Sequence, residues 1–335
     1  MQNFISDWVF RLVLAPAEQS FLGPGSPVLL ISLFCALLIA TFFILSKRPG
    51  GQDFAPKLLL RALLPRRMIF SASSRTDFFF LVMAIFVVGP ALSWAVVSAL
   101  FVSTQVTHAL TTMFGTPSTT SLNSFECQLI ATIFLFLAHE LAYWIDHWLS
   151  HRIPLLWQFH KVHHTAEVLT PMTNARVHPV DAFVYANILA LFLGVTGGVL
   201  NYVLGRPSLA VTLGGTNIIL IVFYCTIAHL QHSHFWIATT GVMGRVLFSP
   251  AHHQIHHSAD RVHFDKNFGR CLAIWDWMFG TLCVPSRAPL QLRYGVAAEG
   301  FDPHGARGAL LMPILQAWSH TRGLFITARF DSVAR

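Results

Sequence analysis

His147-Trp-Leu-Ser-His151-Arg-Ile-Pro-Leu-Leu-Trp-Gln-Phe-His160-Lys-Val-His163-His164 is the stretch from which the fold and chemistry of this chain are read. On a helix, residues three and four apart share a face. His147 and His151 therefore point one way together, as do His160, His163 and His164. A second cluster repeats the spacing at His252-His253-Gln-Ile-His256-His257. Packing has no use for imidazoles at these intervals. A metal ion has, because neutral imidazole is a common ligand and helical spacing brings several to one ion. Solvated or singly satisfied histidines are the plain alternative, and one His-x-x-x-His would leave it open. One such motif plus two His-x-x-His-His, with fifteen of 18 histidines between His139 and His263, argues against it.

The rest of the chain sets those histidines in a membrane. Its 335 residues are 54% hydrophobic and 11% charged, with mean hydropathy +0.57. A soluble domain carries about 25% charged residues. The net charge of +7 could suggest a nucleic acid partner. The Lys and Arg residues flank apolar runs, however, so a membrane surface is expected and no nucleic acid. The five cysteines are scattered without a Cys-x-x-Cys and read as small apolar residues. Residues 1–16 show no cleavable signal pattern and read as an interfacial helix.

Five spans are expected, at 27–46, 78–102, 125–145, 182–204 and 209–228. Pro90 interrupts the second. A basic connection with Lys47, Arg48, Lys57, Arg61, Arg66, Arg67 and Arg75 follows the first span, with Asp53 its one acid. Residues 103–124 contain no Lys, Arg, Asp or Glu and read as a Ser/Thr-rich loop on the far side. Asn123 and Glu126 form the signature of a helix cap. This charge asymmetry makes the basic side cytoplasmic. Counting crossings then brings every histidine cluster to the cytoplasmic face.

Eight ligands are counted from spacing: His147, His151, His160, His163, His164, His253, His256 and His257. His232 is a ninth, and His178 and His229 are further candidates. One ion takes four to six ligands, so this number implies two metals. Nitrogen ligands suit iron, zinc or copper, and iron is favoured because no carboxylate-base arrangement for hydrolysis is evident. His139-Glu140 begins like a zinc-protease His-Glu-x-x-His, but position 143 is Tyr, which rules that reading out. Glu140 is expected to orient a ligand from outside the metal shell, a structural hydrogen-bonding role being the alternative.

The chain resembles the fatty acid hydroxylase/sterol desaturase superfamily of membrane diiron oxygenases. The resemblance covers Glu140 to Thr281, under half the chain. It rests on Glu140-x-x-Tyr143-x-x-x-His147-x-x-x-His151, Phe159-His160-x-x-His163-His164, Arg176-x-His178-Pro179-x-Asp181, Gln231-His232-Ser233, Pro250-x-x-His253-x-x-His256-His257, Asn267-Phe-Gly269 and Trp275-Asp276-x-x-Phe279-Gly280-Thr281. It implies an all-α polytopic membrane helical bundle with a cytoplasmic histidine-rich cap over two iron ions. It also implies O2-dependent hydroxylation or desaturation of a lipid, with Glu140, Tyr143 and Asp276 supporting the ligands. Trp148, His234 and Trp277 stand where the family usually has Arg, Asn or Gly, and Arg.

The expectation is one membrane-embedded domain over 1–335, with N-terminal spans at 27–123, a fatty acid hydroxylase-like core at 124–285 and a cytoplasmic segment at 286–335. The expected function is a diiron hydroxylase of a membrane lipid such as a sterol or fatty acyl lipid. A desaturase of the same chemistry is the near alternative, and a non-redox metal-binding membrane protein the distant one. No Gly-rich dinucleotide motif is present, so electrons are expected from an external donor, cytochrome b5-like or ferredoxin-type. Arg245, Arg261, Lys266 and Arg270 are candidates to receive it, a membrane-surface role being the alternative.

Overall fold

The protein, seen here in a computed structural model, is described over residues 14–23, 30–47, 55–95, 97–118, 120–296 and 301–333, without side chains at 93–95 and 323–333. The expected interfacial helix at 1–16 falls mostly outside these residues, as do the start of the first span and part of the basic connection.

The described fold is helical, apart from one antiparallel pair of two-residue strands at Thr212–Leu213 and Thr216–Asn217. Ala72–Leu92, Ser124–Arg152 and Pro179–Leu204 are long and apolar enough to cross a membrane. Leu30–Ser46 and Ile218–Gln231 are apolar but shorter. In chain order we label α1 (Leu30–Ser46), α2 (Ala72–Met83), α3 (Ala99–Phe114), α4 (Ser124–Arg152), α5 (Pro154–His164), α6 (Pro179–Leu204), α7 (Ile218–Phe223), α8 (Pro250–His256), α9 (Ile274–Phe279) and α10 (Ala306–Val333). The outer faces are apolar. Phe42, Leu100 and Phe125 are 74%, 76% and 70% exposed, as suits side chains that meet lipid. The protein is a membrane protein.

The expected span at 78–102 and loop at 103–124 are corrected. α2 begins at a Ser71 cap and runs through a π-helical turn, Ala84–Val88, into Gly89–Ala95. Such turns relax the ladder where a proline, here Pro90, brings no amide hydrogen. A new helix, α3, starts at the Ser98 cap and occupies most of the supposed loop. Uncharged Ser and Thr sit comfortably in a membrane helix when their hydroxyls bond back to the preceding turn. Thr104, Thr107, Thr111 and Thr112 all do so, at 2.8–2.9 Å. α3 packs on α6 through small residues. A Cβ at Gly194 or Gly198 would stand 2.5 or 2.6 Å from the Cβ of Val102 or Val106. This Gly-x-x-x-Gly lets the backbones approach, and Thr107 Oγ1 then reaches the Gly198 carbonyl at 3.2 Å. The expected span at 209–228 is likewise replaced by the strand pair and the shorter helix Ile218–Gln231.

α4 opens on the Asn123–Glu126 capping box. At 29 residues it rises about 43 Å, against a hydrocarbon core of about 30 Å. Its last turns carry His147 and His151. Pro154 ends it by forcing Ile153 into extended backbone. The same proline starts α5 and turns the chain back beside α4. Arg176, fully buried, ties this end together. It pairs with Asp77 of α2 at 3.2 Å and donates to the Val162 carbonyl of α5 at 3.0 Å and to Thr165 Oγ1 at 2.7 Å. α10 closes over α5, with Ala309 packed against Phe80 and Val162.

Candidate metal centre

Helical phase decides where each histidine points. Successive residues on a helix are about 100° apart. Adjacent histidines therefore cannot share a centre, but can serve two. His163 and His164 stand at 90° to one another, and His256 and His257 at 89°. The structure sorts nine histidines into two groups. His147, His151, His160, His164 and His256 form one, and His163, His232, His253 and His257 the other. Within each group one nitrogen per ring lies within 4.8 Å of all the others.

In the second group the Nε2 atoms converge. His253 and His232 are 2.9 Å apart, His232 and His257 3.1 Å, His257 and His253 3.1 Å, and His232 and His163 3.2 Å. Four imidazoles facing one point cannot all hydrogen-bond one another, since each has one hydrogen at most when neutral. Imidazole donors at about 2.0–2.1 Å around one ion would stand near this separation. In the first group His151 and His256 reach His164 Nε2 at 3.1 and 3.2 Å. The buried His147 Nε2 and His160 Nε2 have no hydrogen-bond partner. Orphaned, buried, convergent nitrogens are the donor set of a metal centre.

In the first group the opposite ring nitrogens fix three of the tautomers. His147 Nδ1 donates to the Phe268 carbonyl at 2.9 Å and His256 Nδ1 to the Lys266 carbonyl at 2.8 Å. His160 Nδ1 is 3.1 Å from Asp181 Oδ2. Each contact holds the hydrogen on Nδ1 and leaves the Nε2 lone pair for the ion. Burial pushes His232 and His256 down to about 3 and holds His163, His164, His253 and His257 well below the ordinary imidazole value. These rings stay neutral at physiological pH, which is the ligating form.

The two further candidates stand apart from both groups. His178 caps α6, accepting from Val180 N at 3.2 Å, with its Nε2 3.1 Å from the Leu310 carbonyl. His229 Nε2 lies 2.8 Å from Ser32 Oγ. His252 closes a capping box with Ser249 and donates Nε2 to the Gly244 carbonyl at 2.9 Å. The three residues expected to support the ligands stand at different removes. Glu140 Oε2 accepts Cys271 N at 2.8 Å and Leu272 N at 2.9 Å. It thus anchors the backbone just after Phe268 rather than a ring. Asp276 Oδ1 accepts Trp144 Nε1 at 3.0 Å, Phe268 N at 2.9 Å and the Thr281 hydroxyl, while Oδ2 accepts Gly269 N at 2.8 Å. Tyr143 lays its ring edge-on to His147 at 5.4 Å. The sequence reading did not assign the tautomer-fixing groups, Asp181 and the Phe268 and Lys266 carbonyls. Only Asp181 left a trace in sequence, inside Arg176-x-His178-Pro179-x-Asp181.

Both groups face one cavity of about 520 Å³. His147 and His160 reach it from one group, and His163, His232 and His253 from the other. Leu81, Ile85, Val88 and Leu189 supply apolar wall from the membrane helices. Tyr143, Asp146, Tyr185 and Arg270 supply polar wall. Trp148, one of the departures from the family pattern, stacks on Trp144, whereas Trp277 is 54% exposed. His234 Nε2 donates to the Ala62 carbonyl at 2.7 Å.

Residues 132–281 match the fatty acid hydroxylase family model. This stretch is similar to fatty acid hydroxylase domains. All nine converging histidines fall within the matched span. Alkylglycerol monooxygenase of Homo sapiens is 27% identical over 57% of this chain and 39% of that protein. Ornithine lipid hydroxylase OlsE of Rhizobium tropici is 29% identical over 51% and 46%. Putative Delta(7)-sterol-C5(6)-desaturase 2 of Arabidopsis thaliana is 26% identical over 61% and 66%. The chain thus spans less than half the length of the first two. These similarities support the fatty acid hydroxylase/sterol desaturase superfamily, and the matched stretch is the histidine-bearing part. No solved structure matches the chain.

Proposed function

We propose that the protein is an O2-dependent diiron oxygenase that hydroxylates a C–H bond of a membrane lipid. The observation that carries this reading is the pairing of five and four convergent imidazoles at the end of a cavity walled by membrane helices. The nine grouped histidines would hold two iron ions, which when bound supply the activation of O2 toward an unactivated C–H bond. The chain's own part is to keep Nε2 of His147, His160 and His256 free through their Nδ1 contacts, to shield the centre by burial and to admit a lipid along Leu81, Ile85 and Val88. The relatives named for hydroxylation or monooxygenation of lipids support this substrate class. A desaturase is the second reading, favoured by the plant relative named as a sterol desaturase.

We place the centre on the cytoplasmic side of a multi-pass, single-domain protein. The basic connection is the support, since Leu63 packs with Leu230 and Phe235 next to His232. Electrons would come from a separate carrier, cytochrome b5-like or ferredoxin-type. The test is incubation of the iron-loaded protein with extracted membrane lipids, a reducing system and 18O2. A lipid gaining one labelled oxygen supports hydroxylation. A lipid losing two hydrogens without label supports desaturation. Neither product, with iron present and reduction shown, contradicts both.

A further inference from the structure

Arg270 stands in the sequence among basic residues suited to a surface, yet its guanidinium lines the cavity that both histidine groups face. Aromatic rings surround it. The guanidinium carbon lies 5.3, 5.6 and 5.1 Å from the ring centres of Tyr143, Phe223 and Tyr224. One Nη donates to the Tyr224 hydroxyl at 2.7 Å, and Gln231 Nε2 holds the Arg270 carbonyl at 2.7 Å. Guanidinium has five N–H donors and no acceptor. Among the described residues the Tyr224 hydroxyl is the single hydrogen-bond acceptor it reaches, and no carboxylate lies within ion-pair distance. Glu140 feels its charge but commits Oε2 to the Cys271 and Leu272 amides. A cation enclosed by aromatic faces and short of acceptors is costly unless a ligand supplies them. Tyr143 and Tyr185, whose rings stand 5.9 Å apart, also line the cavity.

We propose that Arg270 is a substrate-clamping residue, and that the cavity selects an amphiphile whose polar group is an anionic oxygen group, a carboxylate or a phosphate. The planar fork of guanidinium takes two oxygens of either group at once, and the aromatic faces keep that plane fixed. The apolar wall of Leu81, Ile85 and Val88 takes the chain of the same molecule. The clamp sits one aromatic ring from the centre. Tyr143 touches the guanidinium with its face and His147 with its edge. This inference rests on the oxygenase reading for the fate of the bound lipid, but not for its binding.

The experiment therefore reads binding and metal separately. The full chain in detergent, as purified with its metal, is titrated with hexadecanoate, hexadecyl phosphate and hexadecanol at neutral pH, and its metal content is measured on the same sample. Wild type should bind one or both anions at least about tenfold more tightly than the alcohol, the scale of a charge-assisted pair. The preferred anion identifies the group. In Arg270→Met the preference should fall to about twofold or less with metal content unchanged, and Arg270→Lys should keep part of it. An anion bound by the metal alone would keep its preference in Arg270→Met, and that result overturns the proposal. Equal binding of all three probes by wild type also overturns it, and needs no variant to fold. Absence of metal would sink the oxygenase reading while leaving the anion preference to stand or fall by itself.

Discussion

His256 and His257 are neighbours in sequence and belong to different nitrogen groups, their rings 89° apart. His163 and His164 divide in the same way. Each doubled histidine thus works as a fork at the end of its helix. His256→Ala should deplete the ion held with His147, His151, His160 and His164. His257→Ala should deplete the ion held with His163, His232 and His253. Elemental analysis should find each variant short of about one ion, and the double variant short of both. Equal retention in all three would contradict the division.

Asp276 gathers four hydrogen bonds, one of them from Phe268, whose carbonyl fixes His147. Asp276→Ala should cost about 2–4 kcal/mol, since four donors lose a buried charged acceptor. Asp276→Asn should cost less. It can keep Oδ1 but turns an amide hydrogen toward Gly269 N–H. Thermal unfolding in detergent measures the order, which should be wild type, then Asn, then Ala.

Gly194 and Gly198 set the approach of α3 to α6. Gly194→Val places a Cβ against Val102 and should destabilise by about 1–3 kcal/mol or more through overpacking. Gly197→Ala meets Ser103 Oγ at 3.3 Å, a contact that a small shift relieves, and serves as the mild comparison. Equal melting temperatures for the two would contradict the packing described.

Acid should dissolve the centre in a defined direction. His232 and His256 sit at about 3 in the folded protein against an ordinary 6.5. The folded state therefore binds fewer protons than the unfolded chain between these values. Stability is fully present above about 6.5 and falls as pH drops toward about 3. Metal ligation adds to the effect, because protons compete for the same lone pairs. Melting temperature and retained metal, followed from pH 7 downward, should fall together. A melting temperature that rises on acidification would contradict the neutral, buried state of these rings.

Eight of the nine grouped histidines were legible because ligand spacing is a local property of a helix, whereas His232 stands outside such a motif. The all-α membrane character was legible because apolar runs of spanning length have few other uses. α3 was not. Its lack of charge and its Ser and Thr looked like a loop, and only the hydroxyl-to-carbonyl bonds within the helix and the glycine groove on α6 make it a packed helix. The place of Arg270 at the cavity was not legible for a related reason. A basic residue in a polar sequence context looks exposed, and only the tertiary fold shows the aromatic faces of Tyr143, Phe223 and Tyr224 that draw it inward. Nor does spacing show that His178 is spent on a helix cap and His229 on Ser32. Those duties depend on partners that become neighbours only on folding.

The most direct test of the central claim is the metal content of the purified wild-type protein, produced with ample iron and without nickel or cobalt resins, beside His163→Ala. About two iron ions per chain are expected in wild type, with a clear loss in the variant. A single tightly held zinc, or no metal in a folded protein, would contradict it.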